Sequence, residues 1–154
     1  MCEIDVREAC LGDWPVIADF NCRLAAESEG KQLNPETTRR GVQALLADPR
    51  KGRYFVATCA GAIVGQLMHT WEWSDWRNGE IWWLQSVYVM PEHRGRGVFR
   101  QLFERLAGEA KGRPDVVGLR LYVEQHNAAA QATYQRLGMQ PGGYVVFEEI
   151  FAPR

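Results

Sequence analysis

A strongly apolar, aromatic stretch runs directly into a glycine-rich turn and then into a helical pattern, and this order of elements constrains the fold most. The stretch IWWLQSVYVM, residues 81–90, is apolar almost throughout, as is typical of a strand covered on both faces. After the turn PEHRGRG, the apolar residues Val98, Leu102 and Leu106 recur every four positions, which predicts an amphipathic helix. A buried strand followed by such a helix indicates helices layered on a sheet.

The remaining periodicity predicts one mixed α/β domain over residues 1–154, with the element order β-α-α-β-β-β-α-β-α-β. Three of the predicted helices follow residues typical of N-caps, which are Asp13, Asn34 and Asn127. The other predicted strands are EIDVREA (3–9), two strands joined at Ala60-Gly61, VVGLRLYV (116–123) and YVVFEEIF (144–151). No repeat or linker interrupts this pattern in the sequence.

The charge balance argues against two classes of partner. The net charge is −1, from 18 basic and 19 acidic side chains, so the chain lacks the basic excess typical of nucleic-acid or anionic-membrane binding. No apolar run reaches the roughly 20 residues of a membrane span, and the N-terminal MCEIDVREA contains no apolar signal core. We therefore expect a cytoplasmic protein that binds neither nucleic acid nor a membrane.

The four cysteines, Cys2, Cys10, Cys22 and Cys59, are scattered through the first 59 residues. No two of them have the C-x-x-C spacing of a zinc site or a redox motif, and no pair of histidines lies nearby. At this chain length a disulfide framework is not needed for stability. We therefore expect no metal site, no disulfide framework, and cysteines that act as small buried residues.

The turn between the aromatic strand and its helix has the chemistry of a phosphate site. Backbone N–H groups at a helix start point toward one spot, and the helix dipole adds positive potential there. Gly95 and Gly97 let an anion approach the backbone closely, while Arg94 and Arg96 can donate charge-assisted hydrogen bonds to phosphate oxygens. The turn is neither a Walker loop nor a dinucleotide fingerprint, because Arg100 stands where the latter requires glycine.

This turn resembles the pyrophosphate-binding turn of the GNAT superfamily of N-acetyltransferases, R/Q-x-x-G-x-G/A, which follows a strand such as VYVMP (87–91). Phe99 departs from the pattern, since glycine or alanine is usual there. The resemblance implies acetyl-CoA as cofactor and a mixed, twisted sheet of six to seven strands flanked by four helices. The cofactor-binding residues that it implies in this part of the chain are Val87, Tyr88, Val89, Arg94, Gly95, Arg96, Gly97, Val98, Phe99 and Arg100.

A second stretch, VEQHNAAAQATYQRLGM (123–139), resembles the family's other motif, V-x-x-x-N-x-x-A-x-x-x-Y-x-x-x-G-F. The resemblance implies that Asn127 contacts the pantetheine arm of the cofactor. It also implies that the Tyr134 hydroxyl faces the thioester sulfur and acts as a general acid. Two structural alternatives stay open, because Asn127 can be a helix cap and Tyr134 an aromatic core residue.

The general base is not named by either motif. The resemblance places the oxyanion donor at the amide of Val87 or Tyr88, and it requires a base that deprotonates the amine. Glu72, acting through a water molecule, is our hypothesis. The other candidates are Asp75, Glu80, Glu124, His69 and His126.

Five of the six tryptophans lie between residues 71 and 83. Trp71, Trp73 and Trp76 stand beside Glu72 and Asp75 near a predicted hairpin tip, and aromatic faces with carboxylates attract a cation. We therefore expect Trp71, Trp73, Asp75 and Trp76 to bind the substrate. A tryptophan-rich interface in a homodimer is the alternative.

These residues together predict an acetyl-CoA-dependent N-acetyltransferase that transfers an acetyl group directly to a primary amine of a small molecule. The alternatives are acetylation of a protein or peptide N-terminus or lysine, and a non-catalytic CoA-binding module. A third class, an interaction protein that uses the tryptophan hairpin, would bind no CoA.

Overall fold

Five strands form one sheet in the computed structural model, which describes residues 2–151. Neighbouring strands in the sheet are also neighbours in sequence. The first four pair antiparallel and the fifth lies parallel to the fourth, so the sheet is mixed. The strands are β1 (Ile4–Glu8), β2 (Arg53–Cys59), β3 (Ala62–Ser74), β4 (Gly79–Val89) and β5 (Val116–Arg120).

Residues 2–151 contain four α-helices, the number that the sequence predicts. They are α1 (Trp14–Glu29), α2 (Pro35–Ala47), α3 (Val98–Lys111) and α4 (Ala128–Arg136). The chain divides into two units. The first ends at Leu121 and contains the sheet with α1 to α3, and the second begins at Tyr122 and contains α4. No helix within residues 2–151 is both long and apolar enough to cross a membrane.

The helix ends show which local signals the chain uses. The Asn34 side chain accepts a hydrogen bond of 3.0 Å from the Thr37 N–H and so caps α2. Gly30 ends α1 in a left-handed conformation with φ of 62°. Asp13 precedes α1 as predicted, but its carboxylate does not cap the helix. It accepts hydrogen bonds from Arg7 and from the Cys10 N–H instead.

The first unit buries apolar side chains on both faces of the sheet. Tyr54 and Val56 of β2 pack with residues of α1 and α2 in one cluster. Phe55, which lies between them in sequence, is fully buried, and the Arg105 guanidinium of α3 lies over its ring at 5.6 Å. Because successive strand residues point to opposite faces, helices cover both sides of the sheet.

Two predicted strands differ from the structure. β5 ends at Arg120 rather than at residue 123, and residues 144–151 form no strand. The sheet therefore has five strands rather than six to seven. Tyr144 and Phe147 are 79% and 92% exposed, so this segment has the β-branched and aromatic residues of a strand but no ladder. Residue type is not sufficient, because a strand is stabilised only when its N–H and C=O groups find a neighbouring edge.

The prediction of unpaired cysteines is wrong for one pair. Cys2 and Cys59 form a disulfide, with their Cα atoms 5.5 Å apart, while Cys10 and Cys22 are free. The cause is strand register, because Ile4 of β1 pairs with Cys59 of β2 and so brings Cys2 alongside. A sequence separation of 57 residues conceals this proximity.

Candidate active site

The turn before α3 has an open backbone conformation that suits an anion. Gly95 and Gly97 are left-handed, with φ of 75° and 79°, a conformation that favours glycine. A Cβ atom on either glycine would meet no heavy atom within 4 Å, so the space above both residues is free. No side chain caps the first N–H groups of α3, which lack intrahelical partners. The turn therefore fits a phosphate-bearing group through its backbone donors.

The two arginines of the turn, Arg94 and Arg96, and Arg100 at the start of α3 have different surroundings. Arg96 is exposed and makes no side-chain hydrogen bond or ion pair with any residue of the described chain. Arg100 lies 3.5 Å from the Glu104 carboxylate, one helical turn further along α3. Arg94 donates hydrogen bonds to the Glu27 carboxylate at 2.7 Å and to the Val89 carbonyl at 2.8 Å. Arg96 is therefore the side chain most available to an incoming anion.

Glu27 connects α1 to both the turn and β4. Its second carboxylate oxygen accepts a 3.0 Å hydrogen bond from the buried Tyr88 hydroxyl. The Arg94 guanidinium holds the pKa of Glu27 below its ordinary value, and burial together with Glu27 raises the pKa of Tyr88. The Arg94 guanidinium also lies over the Tyr88 ring at 5.4 Å. These contacts fix the end of β4 relative to the first helix.

One edge of β4 is open where the site residues lie. Pairing with β5 extends from Glu80 only to Trp83, which pairs with Arg120. The segment 84–89 has no strand partner on that side within residues 2–121. Val87, Tyr88 and Val89 thus present backbone on an unpaired edge, directly before the turn. An extended, amide-bearing ligand can bind such an edge as an additional strand would.

A β-bulge interrupts β4 at the same place. Gln85 pairs with Met68 and Tyr88 with Gln66, so two residues of β4, Ser86 and Val87, oppose the single residue Leu67. Ser86 has φ of 50°, which is unusual for a residue with a side chain. A bulge twists the strand and redirects its backbone groups. The predicted oxyanion donors therefore lie at an irregular point of the sheet.

Phe99, the departure from the expected turn pattern, does not occupy the turn. Its ring lies 6.1 Å from that of Phe103, one helical turn further along α3. A large side chain that runs along its own helix leaves the backbone donors at the helix start accessible. The substitution for glycine or alanine is therefore compatible with an anion in the turn.

The tryptophan hairpin has an exposed tip and a structured base. Trp73 and Trp76 are 61% and 85% exposed, and the Asp75 carboxylate accepts a hydrogen bond from the Trp76 N–H. Trp71 instead packs its ring edge-on against the His69 ring, with centroids 5.2 Å apart. The tip thus offers two indole faces, and Trp71 belongs to the base of the hairpin.

Glu72, the predicted base, forms an ion pair that the sequence does not reveal. Its carboxylate accepts a hydrogen bond of 2.5 Å from Arg120 of β5. The Arg120 guanidinium also lies over the Trp83 ring at 5.9 Å. Glu72 remains 41% exposed, so solvent can still reach it. Its role as base stays a hypothesis.

The other candidate bases fall into distinct environments. His69 is fully buried between aromatic rings, its centroid 4.3 Å from that of Trp82, and burial lowers its pKa to about 4. Such a ring is neutral near pH 7 and is inaccessible to a dissolved amine. Glu80 accepts a 3.3 Å hydrogen bond from the Trp82 indole, and Glu124 accepts one from the His126 N–H.

The second unit contains the other motif. Asn127 caps α4 by accepting a 3.1 Å hydrogen bond from the Ala130 N–H, so the capping alternative is correct for its side-chain oxygen. Tyr134 lies two helical turns beyond it on the same helix face, and burial raises its pKa. The phenol therefore keeps its proton to a higher pH than a dissolved tyrosine does, so it carries a proton near neutral pH.

Sequence reasoning did not identify Glu27, Arg120 or Gln66 as parts of this region. Each comes from an element that carries no motif, and each reaches the region through tertiary contacts. The only signal in the sequence was weak. Gln66 is a polar residue within the otherwise apolar strand pattern AIVGQLM, and such residues are buried only when a partner satisfies them.

Comparison with known proteins shows the family to which the chain belongs. Residues 18–139 match the acetyltransferase (GNAT) family. The chain is 32% identical over 78 residues to the thialysine N-epsilon-acetyltransferase of Bos taurus, a match covering 51% of this chain and 45% of that protein. It is therefore a match to less than half of that relative's length.

Solved structures give the same result. A protein described as a possible acetyltransferase from Clostridium difficile 630 is 45% identical, with a TM-score of 0.90 over 97% of this chain and 99% of that chain. A predicted acetyltransferase from Clostridium acetobutylicum, solved with acetyl-CoA, shares the fold at 19% identity, with a TM-score of 0.77 over 95% and 96% of the two chains. Because the family match extends over most of the sequence and the fold agrees, this chain belongs to the GNAT family of acetyltransferases.

Proposed function

We propose that this protein transfers the acetyl group of acetyl-CoA directly to a primary amine of a small molecule. The observation that carries the proposal is the adjacency of two features. The open edge of β4 ends at an uncapped helix start whose two glycines leave the backbone free. A ligand with a long amide-bearing arm and a pyrophosphate matches both features in that order.

In this proposal the first unit binds most of the donor. The backbone N–H groups of Gly95 to Arg100 and the Arg96 guanidinium hold the pyrophosphate. The backbone of Val87, Tyr88 and Val89 binds the pantetheine arm along the unpaired edge. Asn127 of the second unit contributes a contact to the same arm. We also propose that the two units act as one acetyltransferase domain, since the family match runs from residue 18 to residue 139.

The chemistry assigned to the chain's own groups is simple. Bound acetyl-CoA supplies an acetyl group activated as a thioester. An amide at Val87 or Tyr88 donates a hydrogen bond to the carbonyl oxygen as negative charge develops there. Tyr134 donates its proton to the departing sulfur. Glu72, through a water molecule, accepts the proton of the amine, whose free pKa is near ~10.4 for an alkylammonium group.

The acceptor is proposed to bind at the tip of the tryptophan hairpin. Trp73 and Trp76, which precede and follow Asp75 in the sequence, expose their indole rings. Exposed indoles near a carboxylate favour the binding of a cationic amine. The name of the Bos taurus relative, thialysine N-epsilon-acetyltransferase, supports a small acceptor. Trp71 supports the hairpin from its base. Cytoplasmic location and a homodimer stay predictions.

The decisive experiment has two stages. Calorimetric titration with acetyl-CoA and free CoA comes first, and we expect micromolar binding of both. An assay of free thiol release then compares small diamines, thialysine and lysine with peptides that carry free N-termini or lysines. Turnover with small amines supports the proposal, and turnover with peptides alone supports the protein acceptor. Binding without turnover supports a CoA-binding module, and no binding by folded protein overturns the proposal.

A further inference from the structure

A glutamine is fully buried on the face of the sheet that packs against α1. Gln66 of β3 has no exposed surface, although its strand neighbours on that face include apolar residues. Its amide nitrogen donates to the Ser86 carbonyl at 3.1 Å and to the Asn21 side-chain oxygen at 2.7 Å. The Ser86 contact is the important one, because Ser86 is the left-handed residue of the bulge in β4.

The contact with the Ser86 carbonyl fixes which atom donates and which accepts in each of the following hydrogen bonds. A carbonyl can only accept, so the Ser86 contact requires the nitrogen of Gln66 to face it. Asn21 of α1 must then accept from Gln66 with its oxygen, and its nitrogen donates to the Tyr54 hydroxyl at 3.0 Å. Tyr54 of β2 is almost fully buried. Buried hydrogen bonds therefore connect four elements, which are α1, β2, β3 and β4.

Stability alone does not explain this series of buried hydrogen bonds. An apolar side chain at residue 66 would bury surface without having to satisfy an amide, and the Gln66 side-chain oxygen has no hydrogen-bond partner within the described residues. A buried polar group that is only partly satisfied costs free energy. We therefore look for a role that an apolar residue could not have. The contact of Gln66 with the Ser86 carbonyl indicates that role.

Peptide geometry identifies the consequence. The peptide bond between Ser86 and Val87 is trans, since no cis bond occurs among the described residues. In a planar trans peptide the C=O and N–H bonds point in opposite directions. The hydrogen bond from Gln66 to the Ser86 carbonyl therefore sets the direction of the Val87 N–H, on the far side of the same peptide plane. At a bulge the sheet ladder does not fix this plane by itself.

We propose that Gln66, held by Asn21 and Tyr54, is a positioning residue that orients the Ser86–Val87 peptide so that the Val87 N–H faces the acetyl carbonyl oxygen. This inference rests on the proposed function. It also selects Val87 rather than Tyr88 as the oxyanion donor. Gln66 touches neither substrate nor cofactor and acts only through the peptide plane.

The test replaces Gln66 with methionine, which has a similar length and no donor. We expect kcat to fall roughly 10- to 100-fold, somewhat less than deletion of an oxyanion donor typically costs. The KM for the amine and the Kd for acetyl-CoA should change less than threefold, because binding occurs elsewhere. The matched control is Gln43→Met, which removes a half-buried glutamine of α2 that accepts a hydrogen bond from Arg39. It should leave kcat unchanged.

A second readout follows the amide itself. In ¹⁵N-labelled wild-type protein, the Val87 amide resonance should shift when acetyl-CoA binds, and in Gln66→Met this shift should shrink. If Gln66→Met does not fold, Tyr54→Phe removes only the terminal hydroxyl, and we expect kcat to fall about two- to fivefold, a smaller loss than for the donor itself. A folded variant with wild-type kcat and an unaltered Val87 shift would overturn the inference. Wild-type protein that neither binds acetyl-CoA nor releases thiol would instead overturn the proposed function.

Discussion

The glycine turn before α3 and the tip of the tryptophan hairpin are built in opposite ways. The turn depends on backbone conformation, with two left-handed glycines and uncapped N–H groups at a helix start. The hairpin tip depends on side chains, with two exposed indoles beside a carboxylate. Backbone donors at a helix start are directed by the helix itself, whereas an exposed side chain can adopt several rotamers.

This difference separates the two halves of a transfer reaction. A rigid backbone site suits a donor that is the same in every turnover, because its phosphates never change. A side-chain site can be altered by single substitutions without disturbing the fold, and so it suits an acceptor that differs between related enzymes. Substitutions in the turn should therefore affect donor binding, and substitutions in the hairpin should affect the acceptor alone.

The largest effect is expected at the turn. Gly97→Glu places a carboxylate and a Cβ atom where the pyrophosphate is proposed to bind. We expect acetyl-CoA affinity to fall by roughly 100-fold or more, since opposed like charges cost several kcal/mol. Calorimetric titration measures the loss. Gly61→Glu is the matched control, because Gly61 also has a left-handed φ, of 81°, and open space around it. Equal loss of affinity in both variants would contradict a phosphate site at the turn.

The next effect should separate chemistry from donor binding. Tyr134→Phe removes the proposed acid, so we expect kcat to fall roughly 100-fold while acetyl-CoA affinity stays nearly unchanged. Burial raises the pKa of Tyr134, so the wild-type hydroxyl stays protonated up to and beyond the ordinary value near ~10. An alkaline loss of kcat above that pH should therefore be present in the wild type and absent from the variant.

Two measurements check this assignment. Steady-state kinetics across the pH range gives kcat for the two proteins, and titration gives the donor affinity. Tyr144→Phe is the control, since Tyr144 is 79% exposed and lies in the same unit. Wild-type turnover by Tyr134→Phe at every pH would remove Tyr134 from the acid role.

A smaller effect is expected at the hairpin. Each exposed indole contributes about 0.5–1 kcal/mol to the binding of a cation, so Trp73→Ala with Trp76→Ala should raise the amine KM roughly 5- to 30-fold. The Kd for acetyl-CoA should not change. Leu11→Ala is the control for loss of an exposed apolar side chain, since Leu11 is 52% exposed. A changed oligomeric state with unchanged KM, measured by light scattering, would instead favour the interface alternative.

The smallest effect concerns the link between α1 and the turn. The pKa of Glu27 is lowered by Arg94, so its contribution to stability is present above the unfolded pKa near ~4.3 and is lost as pH falls through the lower folded value. Glu27→Gln should therefore lower the free energy of unfolding at pH 7 by about 0–1 kcal/mol, the usual contribution of an exposed ion pair. The Tm should fall slightly as a result.

The difference in Tm between Glu27→Gln and the wild type should disappear on acidification below the folded pKa of Glu27. Thermal denaturation at pH 7 and in steps toward pH 3 measures it. Glu29→Gln is the control, since Glu29 lies at the end of the same helix and, among residues 2–151, forms an ion pair only with nearby Lys31. A difference that persists at the acid end would show that Glu27 acts through packing rather than through charge.

Much of the fold was predictable because its signals are local. Asn34 caps α2, Gly30 ends α1, and the turn at Ala60-Gly61 joins β2 to β3, as the sequence predicts. The predictions that were wrong concern contacts between residues that are distant in sequence. Residues 144–151 have the β-branched and aromatic residues of a strand but pair with none, and Cys2 meets Cys59 only through the register of β1 on β2.

The sequence by itself determined the family, the glycine turn before α3 and the order of the elements as far as α4, because spacing and glycine conformations act within a few residues of each other. Only the tertiary structure decided that Arg94 bonds Glu27, that Glu72 pairs with Arg120, and that Gln66 holds the bulge at Ser86. These contacts span from 20 to 67 positions along the chain. Their partners are chosen by which strands and helices pack together, and no local pattern records that choice.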